Sequence, residues 1–426
     1  MNATKQTYIT AFALFSLFFG AGNLILPPFL GYNAGENWIW VVLGFTLSAV
    51  IIPIMAIYGH AKLQGTMLDF GKKVSPVFAL VYCVIVYAIS LSLPAPRTAS
   101  VTYEMAVQPY FELSSIWLST LYFMLVLVFV LNRTKILELI GKFLTPLIIL
   151  ILLAIISIGL FTDVEVLRAS IFPNTFTAGI LEGYQTFDAI GGVVVGGVIV
   201  ISYALQGTYA YEDRKKMIGK AGLLAGIGLF AIYGGLIALG AFHSGTLEID
   251  NRTELLQVLS TNTLGDIGTA FLAVLVALAC FTTAVGIITG TADFVKGLAK
   301  NSQTAYVATA IVGCILGVLM GQFDVHYIID VALPALMFIY PITIVLIFLN
   351  IVPNNFASPL VFKTVAGVTF LFSIPDFLGF LIKSDRLIWL KENLPLAQEN
   401  LAWVLPAVIV FVLVNILENK YTPQSS

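Results

Sequence analysis

Phe18-Phe19-Gly20-Ala21-Gly22-Asn23-Leu24-Ile25-Leu26-Pro27-Pro28 is the stretch whose reading decides the fold. It lies near the middle of the first long apolar segment, residues 8 to 31, where two glycines make a continuous helix least favourable. In hydrocarbon an unpaired backbone N–H or C=O costs several kcal/mol, so a helix break survives at that depth only where it faces protein, water or a ligand. The stretch therefore reads as half of a binding site. The rest of the chain must supply the other half.

Composition sets the class around it. Of 426 residues, 59% are hydrophobic and 10% charged, with a mean hydropathy of +0.97, more apolar sequence than a soluble core could use. The chain is expected to be an all-α integral membrane protein whose solvent is the lipid bilayer. A net charge of -2, from 21 basic and 23 acidic residues, argues against a nucleic-acid partner. Cys83, Cys280 and Cys314 each sit inside an apolar run and read as packing residues, not as a disulfide or metal set. His60, His243 and His326 lie scattered at span ends with no metal spacing. No HExxH motif or nucleophile-base pair is present, so no enzyme is expected, and no charge rings or filter suggest a channel.

Apolar runs long enough to cross about 30 Å of hydrocarbon number twelve, near 8 to 31, 38 to 59, 75 to 96, 115 to 131, 137 to 161, 179 to 203, 220 to 243, 267 to 291, 304 to 321, 327 to 350, 360 to 382 and 401 to 418. Met1 to Tyr8 carries one lysine and no cleavage site follows the first run, which is expected to stay as a span. With the N-terminus inside, fifteen basic residues fall on the cytoplasmic side, Arg133, Lys135 and Arg214 to Lys220 among them, against six outside, including Arg97, Arg252 and Lys383. Both termini are therefore expected to be cytoplasmic. The connection from about 244 to 266 is polar, with a short helical pattern at Glu254 to Leu259, and Ser384 to Asn400 suits a segment lying along the interface. Asn251-Arg252-Thr253 and Asn132-Arg133-Thr134 match a glycosylation acceptor on opposite faces, which reads as coincidence.

Span six is the second odd helix: Gly179-Ile180-Leu181-Glu182-Gly183-Tyr184-Gln185-Thr186-Phe187-Asp188-Ala189-Ile190-Gly191-Gly192, with Gly196 and Gly197 to follow. At the α-helical rise, Asp188 lies roughly 14 Å into its span and Gly20 to Asn23 roughly 18 to 22 Å into theirs. Both disruptions fall near the midplane. Span one runs outward and span six inward, the pattern of an inverted-repeat transporter. Glycines that merely permit close packing would leave the same signature.

Three motifs carry a resemblance. Phe12-Ala13-Leu14-Phe15-Ser16-Leu17-Phe18-Phe19-Gly20-Ala21-Gly22-Asn23-Leu24-Ile25 with Pro27-Pro28, Pro96-Arg97-Thr98-Ala99 with Glu104 downstream, and Gly183-Tyr184-Gln185-Thr186-Phe187-Asp188 together resemble the bacterial branched-chain amino acid:cation symporter family. Phe187 and Ile190-Gly191 depart from the Thr-Met-Asp and Leu-Ala more usual there, which leaves substrate range open. The resemblance implies a LeuT-type fold of twelve transmembrane helices, a 5+5 inverted repeat with discontinuous helices 1 and 6 plus two peripheral helices. It implies one transporter domain over 1–426, with repeats over about 8–161 and 179–350 and peripheral helices over about 360–382 and 401–418. The implied activity is uptake of leucine, isoleucine and valine through a bacterial cytoplasmic membrane, driven by sodium or protons. A LeuT-type carrier for another amino acid or a nucleobase is the rival.

On this reading the N–H groups of Ala21 and Gly22, with Gly20 and Asn23 beside them, face the substrate carboxylate. Carbonyls around Thr186, Phe187, Asp188 and Ala189 face the ammonium. Ala279-Cys280-Phe281-Thr282-Thr283 places a carbonyl and two hydroxyls on one helical face. It resembles the LeuT-type sodium site, completed by the carbonyls of Ser16 and Phe19; alternatively Thr282 and Thr283 bond back to the preceding turn. Asn23 either coordinates a second ion or stabilises its helix. Asp188 either cycles a proton or stays ionised beside the ammonium or sodium, with sodium the favoured coupling ion and no other cofactor. Arg97 and Asp330 are a candidate external gate, unless Arg97 bonds Glu104 locally. Gly44, Pro53, Pro94, Pro96, Pro334 and Pro341 are flex points or static kinks.

Overall fold

A computed structural model describes residues 3–132, 136–161, 167–205, 210–245, 248–382 and 385–421. Met1, Arg133, Thr134, Lys135, Lys383 and Ser384 of the sequence reading lie outside the described residues. Every regular element among those described is helical. Each of the twelve apolar runs falls on a helix or a set of consecutive helices.

The first run is divided into α1 (Ala3–Phe18) and α2 (Ala21–Ala34), and the second into α3 (Trp38–Thr46) and α4 (Ile52–Leu63) around a π-helical turn, Leu47–Ile51. Pro53, which has no N–H to give that turn, accounts for the irregularity. A short α5 (Met67–Gly71) leads to α6 (Pro76–Ser92) and α7 (Pro94–Thr102), split where Pro94 interrupts the bonding. Then follow α8 (Ser115–Asn132), α9 (Ile136–Leu160), α10 (Thr175–Tyr184), α11 (Asp188–Leu205) and α12 (Tyr211–Phe242). The last third comprises α13 (Arg252–Leu298), α14 (Gln303–Gly321), α15 (Val325–Ile351), α16 (Pro359–Leu381), α17 (Asp385–Asn393) and α18 (Val404–Tyr421). Among the described residues, eight helical runs are long and apolar enough to cross a membrane.

The helical pattern expected at Glu254 to Leu259 begins at Arg252 and continues into span eight across a kink at Gly265, whose φ of 69° favours glycine. Asn251 is the N-cap of α13, accepting the Thr253 N–H through its side chain, which gives that sequon a structural use. The segment from Ser384 to Asn400 contains α17, and the turn after it reaches back so that Thr177 donates to Glu399.

Glycines seat the broken helices. A Cβ on Gly31 of α2 would stand 1.8 Å from the Ile237 carbonyl oxygen of α12, and one on Gly240 of α12 would stand 1.9 Å from that of Pro28. The same device joins α10 to α3: a Cβ on Gly44 would meet the Phe176 carbonyl at 2.0 Å, and one on Gly179 the Val41 carbonyl at 2.4 Å. Lipid offers no hydrophobic drive for helix association, so this close backbone approach is what packs the pairs.

Candidate functional site

The first break is Phe19-Gly20, as the sequence indicates. In a continuous helix the carbonyls of Ser16 and Phe19 would accept from Gly20 and Asn23. Here the Gly20 N–H turns to Asn23 Oδ1 at 3.2 Å, and the Asn23 N–H bonds the Gly20 carbonyl at 3.2 Å. Asn23 thus caps the start of α2, the helix-stabilising option of its two readings. The amides of Ala21 and Gly22 belong to the first turn of α2, which an α-helix leaves without intrahelical acceptors.

The second break falls at Gln185 to Phe187, ahead of the glycines that seemed to mark it. Gly191, Gly192, Gly196 and Gly197 all lie inside α11. A Cβ at Gly192 would approach the Pro53 carbonyl at 3.0 Å and one at Gly196 would press into His60, so these two are packing residues. Phe187 takes the left-handed turn instead, with φ 62°. Thr186 secures the turn: its Oγ1 donates to the Gly183 carbonyl at 2.8 Å and accepts the Asp188 N–H at 3.2 Å. The Phe187 carbonyl is already committed to the Gly191 N–H at 2.8 Å, because it opens the hydrogen-bond ladder of α11. Ala189 is inside α11 and fully buried. The expectation that carbonyls from Phe187 to Ala189 line the site is corrected accordingly; the carbonyl aimed across the break is that of Gln185.

Asp188, 3% exposed, ties the two breaks together. Its Oδ2 accepts from Asn23 Nδ2 at 2.7 Å and from the Tyr233 hydroxyl of α12 at 3.3 Å, while Asn23 Nδ2 also contacts Tyr233. One amide side chain therefore caps α2 with its oxygen and holds the start of α11 with its nitrogen. A hydrogen bond to a charged group contributes about 1.5 to 3 kcal/mol, and leaving a buried carboxylate without it costs more.

Arg97 does not pair with Asp330. It is 3% exposed on α7, its Nη1 donates to the Gln185 carbonyl at 2.7 Å, and its guanidinium lies 5.4 Å from the Phe187 ring centroid. A Cβ on Gly22 would sit 2.5 Å from its Nη2. Asp330 is exposed and faces His326 Nε2 at 3.5 Å. The pair is not brought together: Arg97 is buried on α7, whereas Asp330 is exposed on α15. Nor does Arg97 bond Glu104, which accepts from Thr253 Oγ1 at 2.6 Å and the Val325 N–H at 2.8 Å.

Thr282 and Thr283 both donate to the Ala279 carbonyl, at 2.9 and 3.0 Å, the back-bonded arrangement of the two foreseen. The triplet nonetheless borders the first break: a Cβ on Gly20 would lie 3.7 Å from Thr283 Oγ1. The Thr283 hydroxyl of α13 thus stands beside Gly20.

Three participants escaped the sequence reading. Tyr233 was legible as a hydroxyl near the middle of span seven. Gln185 acts through its carbonyl, for which side-chain chemistry gives no signal. Arg252 pairs with Glu182 of α10 at 3.2 Å, lies 5.0 Å from the Phe29 ring centroid of α2, and reaches His326 Nδ1 of α15 at 3.1 Å. It links one end of both broken helices to α13 and α15.

Two interrupted helices meeting at a buried polar junction, inside a helical bundle of this order, define a membrane transport protein of the LeuT-type fold. Solved structures agree on the fold: the inward-facing conformation of Mhp1 superposes with a TM-score of 0.65 at 12% identity, covering 99% of this chain and 92% of that one. MhsT in complex with L-phenylalanine gives 0.53 at 17% identity, covering 96% and 97%. The family model described as branched-chain amino acid transport protein matches residues 3–421, and the chain belongs to that family. It is 32% identical over 420 residues to the branched-chain amino acid permease BraB of Bacillus subtilis, covering 95% of this chain and 94% of that protein. It is 33% identical over 415 residues to the branched-chain amino acid transport system 2 carrier protein of Pseudomonas aeruginosa, covering 94% and 93%. These relatives are permeases and carriers, and the chain is a transporter rather than an enzyme.

Proposed function

We propose that the protein takes up leucine, isoleucine and valine across a bacterial cytoplasmic membrane by symport with a cation, sodium in preference to protons, through alternating access. The observation that carries this reading is the Asn23–Asp188 bond, which brings the first turn of α2 to the start of α11, just past the break that ends α10, at one buried point. The positive end of α2 suits the carboxylate, and the negative ends of α1 and α10 suit the ammonium. An apolar surround distinguishes side chains by only about 1 to 3 kcal/mol per methylene, so the three substrates overlap. Sodium would take the oxygens of Ala279, Thr282 and Thr283 with the carbonyls of Ser16 and Phe19, displacing the two threonine hydrogen bonds.

The basic residues favour cytoplasmic termini, which puts Arg252 and Glu182 on the outer side. Their ion pair would then close the outer path by holding α2 and α10 to α13. Rocking of the broken helices toward the outward-open state would release it.

The test is radiolabelled leucine uptake into proteoliposomes with a sodium gradient and a pH gradient imposed separately. Accumulation under sodium alone is expected, lost when Thr282 and Thr283 are both changed to alanine. Accumulation driven only by the pH gradient would move coupling to protons, with Asp188 the carrier group. Failure of both gradients would reject symport.

A further inference from the structure

Arg97 is a buried cation held by a backbone carbonyl rather than by an acid. It is 3% exposed, and among the described residues it joins no ion pair. Its Nη1 is held by the Gln185 carbonyl at 2.7 Å, its Nε has no partner, and its Nη2 edge lies against Gly22. The acid whose charge it feels, Asp188, forms no ion pair with it among the described residues and is engaged through Oδ2 by Asn23 and Tyr233. An uncompensated guanidinium in a low-dielectric interior costs several kcal/mol, which a carboxylate removes by binding it in fork geometry. The first turn of α2 calls for negative charge at the same place, since its unpaired amides and positive dipole end lie beside the guanidinium. Gly22 is the residue that lets the two approach. Any side chain there would displace the guanidinium.

We infer that Arg97 is the counter-ion of the substrate's α-carboxylate, binding it jointly with the first amides of α2, and that this contact makes the free carboxylate a condition of recognition. The assignment rests on the amino acid reading of the site. It makes Arg97 a determinant of substrate class: branched-chain amino acids enter, and the amino alcohol leucinol, with the same side chain and ammonium, does not.

Purified protein in saturating sodium chloride is titrated calorimetrically with leucine and with leucinol. The wild type should prefer leucine by about 100-fold or more, as expected when one partner of a buried charge pair is missing. Arg97→Gln should lose most leucine affinity and bind the two ligands within a few-fold of each other. Gly22→Ala, which moves the guanidinium without removing it, should shift affinity the same way by about tenfold. Should Arg97→Gln not fold, Arg97→Lys keeps the charge without the fork and should weaken leucine by at least about tenfold. If Arg97 only buttresses α7 against α10, the variants weaken both ligands alike and the leucine-to-leucinol ratio stays at its wild-type value, which overturns the assignment. A wild type that binds leucinol as well as leucine overturns it too, leaving the amino acid reading standing; one that binds no branched-chain amino acid at all removes that reading and the assignment with it.

Discussion

The two interruptions look alike in sequence and are built differently. At the first, Gly20 adopts φ -114° and ψ -171°, extended backbone open to any residue, and the turn is held by a side chain, Asn23. At the second, a phenylalanine occupies the left-handed region where glycine would be expected, held by Thr186 and by packing against Arg97. Glycine therefore does not mark strain at either break. Where its absence of a side chain matters is at contacts: Gly22 under Arg97, Gly31 and Gly240 between α2 and α12, Gly44 and Gly179 between α3 and α10.

That contrast can be broken in order of expected effect. Asn23→Leu should be the most damaging change, because it removes the cap of the first break and leaves Asp188 without its closest donor. A loss of about 3 kcal/mol is expected, seen as a large drop in the thermal unfolding temperature of the solubilised protein and abolished leucine uptake. Wild-type stability would mean that the two breaks are not joined through this bond. Phe187→Gly should act in the opposite sense on the backbone, relieving about 1 kcal/mol of left-handed strain while removing the ring beneath Arg97. Because the ring is buried, its loss costs about 3 kcal/mol, more than the strain relieved, so unfolding temperature and leucine affinity should both fall; an unchanged unfolding temperature would show that the turn, not the ring, sets this break. Gly20→Ala should do least, since a Cβ there meets Asn23 Oδ1 at 3.6 Å and Thr283 at 3.7 Å, ordinary contact distances. Stability within about 0.5 kcal/mol of wild type is expected, and collapse of uptake would restore glycine's conformational freedom as the origin of the first break.

Much of the fold was legible because bilayer depth imposes local rules: an apolar run must be helical, and a break in it must be excused. The Phe19-Gly20 break and the run boundaries follow from those rules. The second break, expected at Asp188, opens just before it at Gln185 to Phe187; Gly192 serves packing, and Phe187 gives no local sign of its left-handed turn. Arg97 was assigned to the wrong depth because its position in span three suggests the outer end, and only the approach of α7 to both breaks shows otherwise.

Sequence alone determined the membrane class, the helical runs, the two interrupted helices and the family, since each depends on composition or on short motifs read along one chain. Tertiary structure decided the junction. Asn23 and Asp188 are 165 positions apart, and Arg97 and Gln185 are 88 apart. Their meeting depends on glycine-seated helix pairs whose close approach is a property of two surfaces at once, which no single stretch encodes.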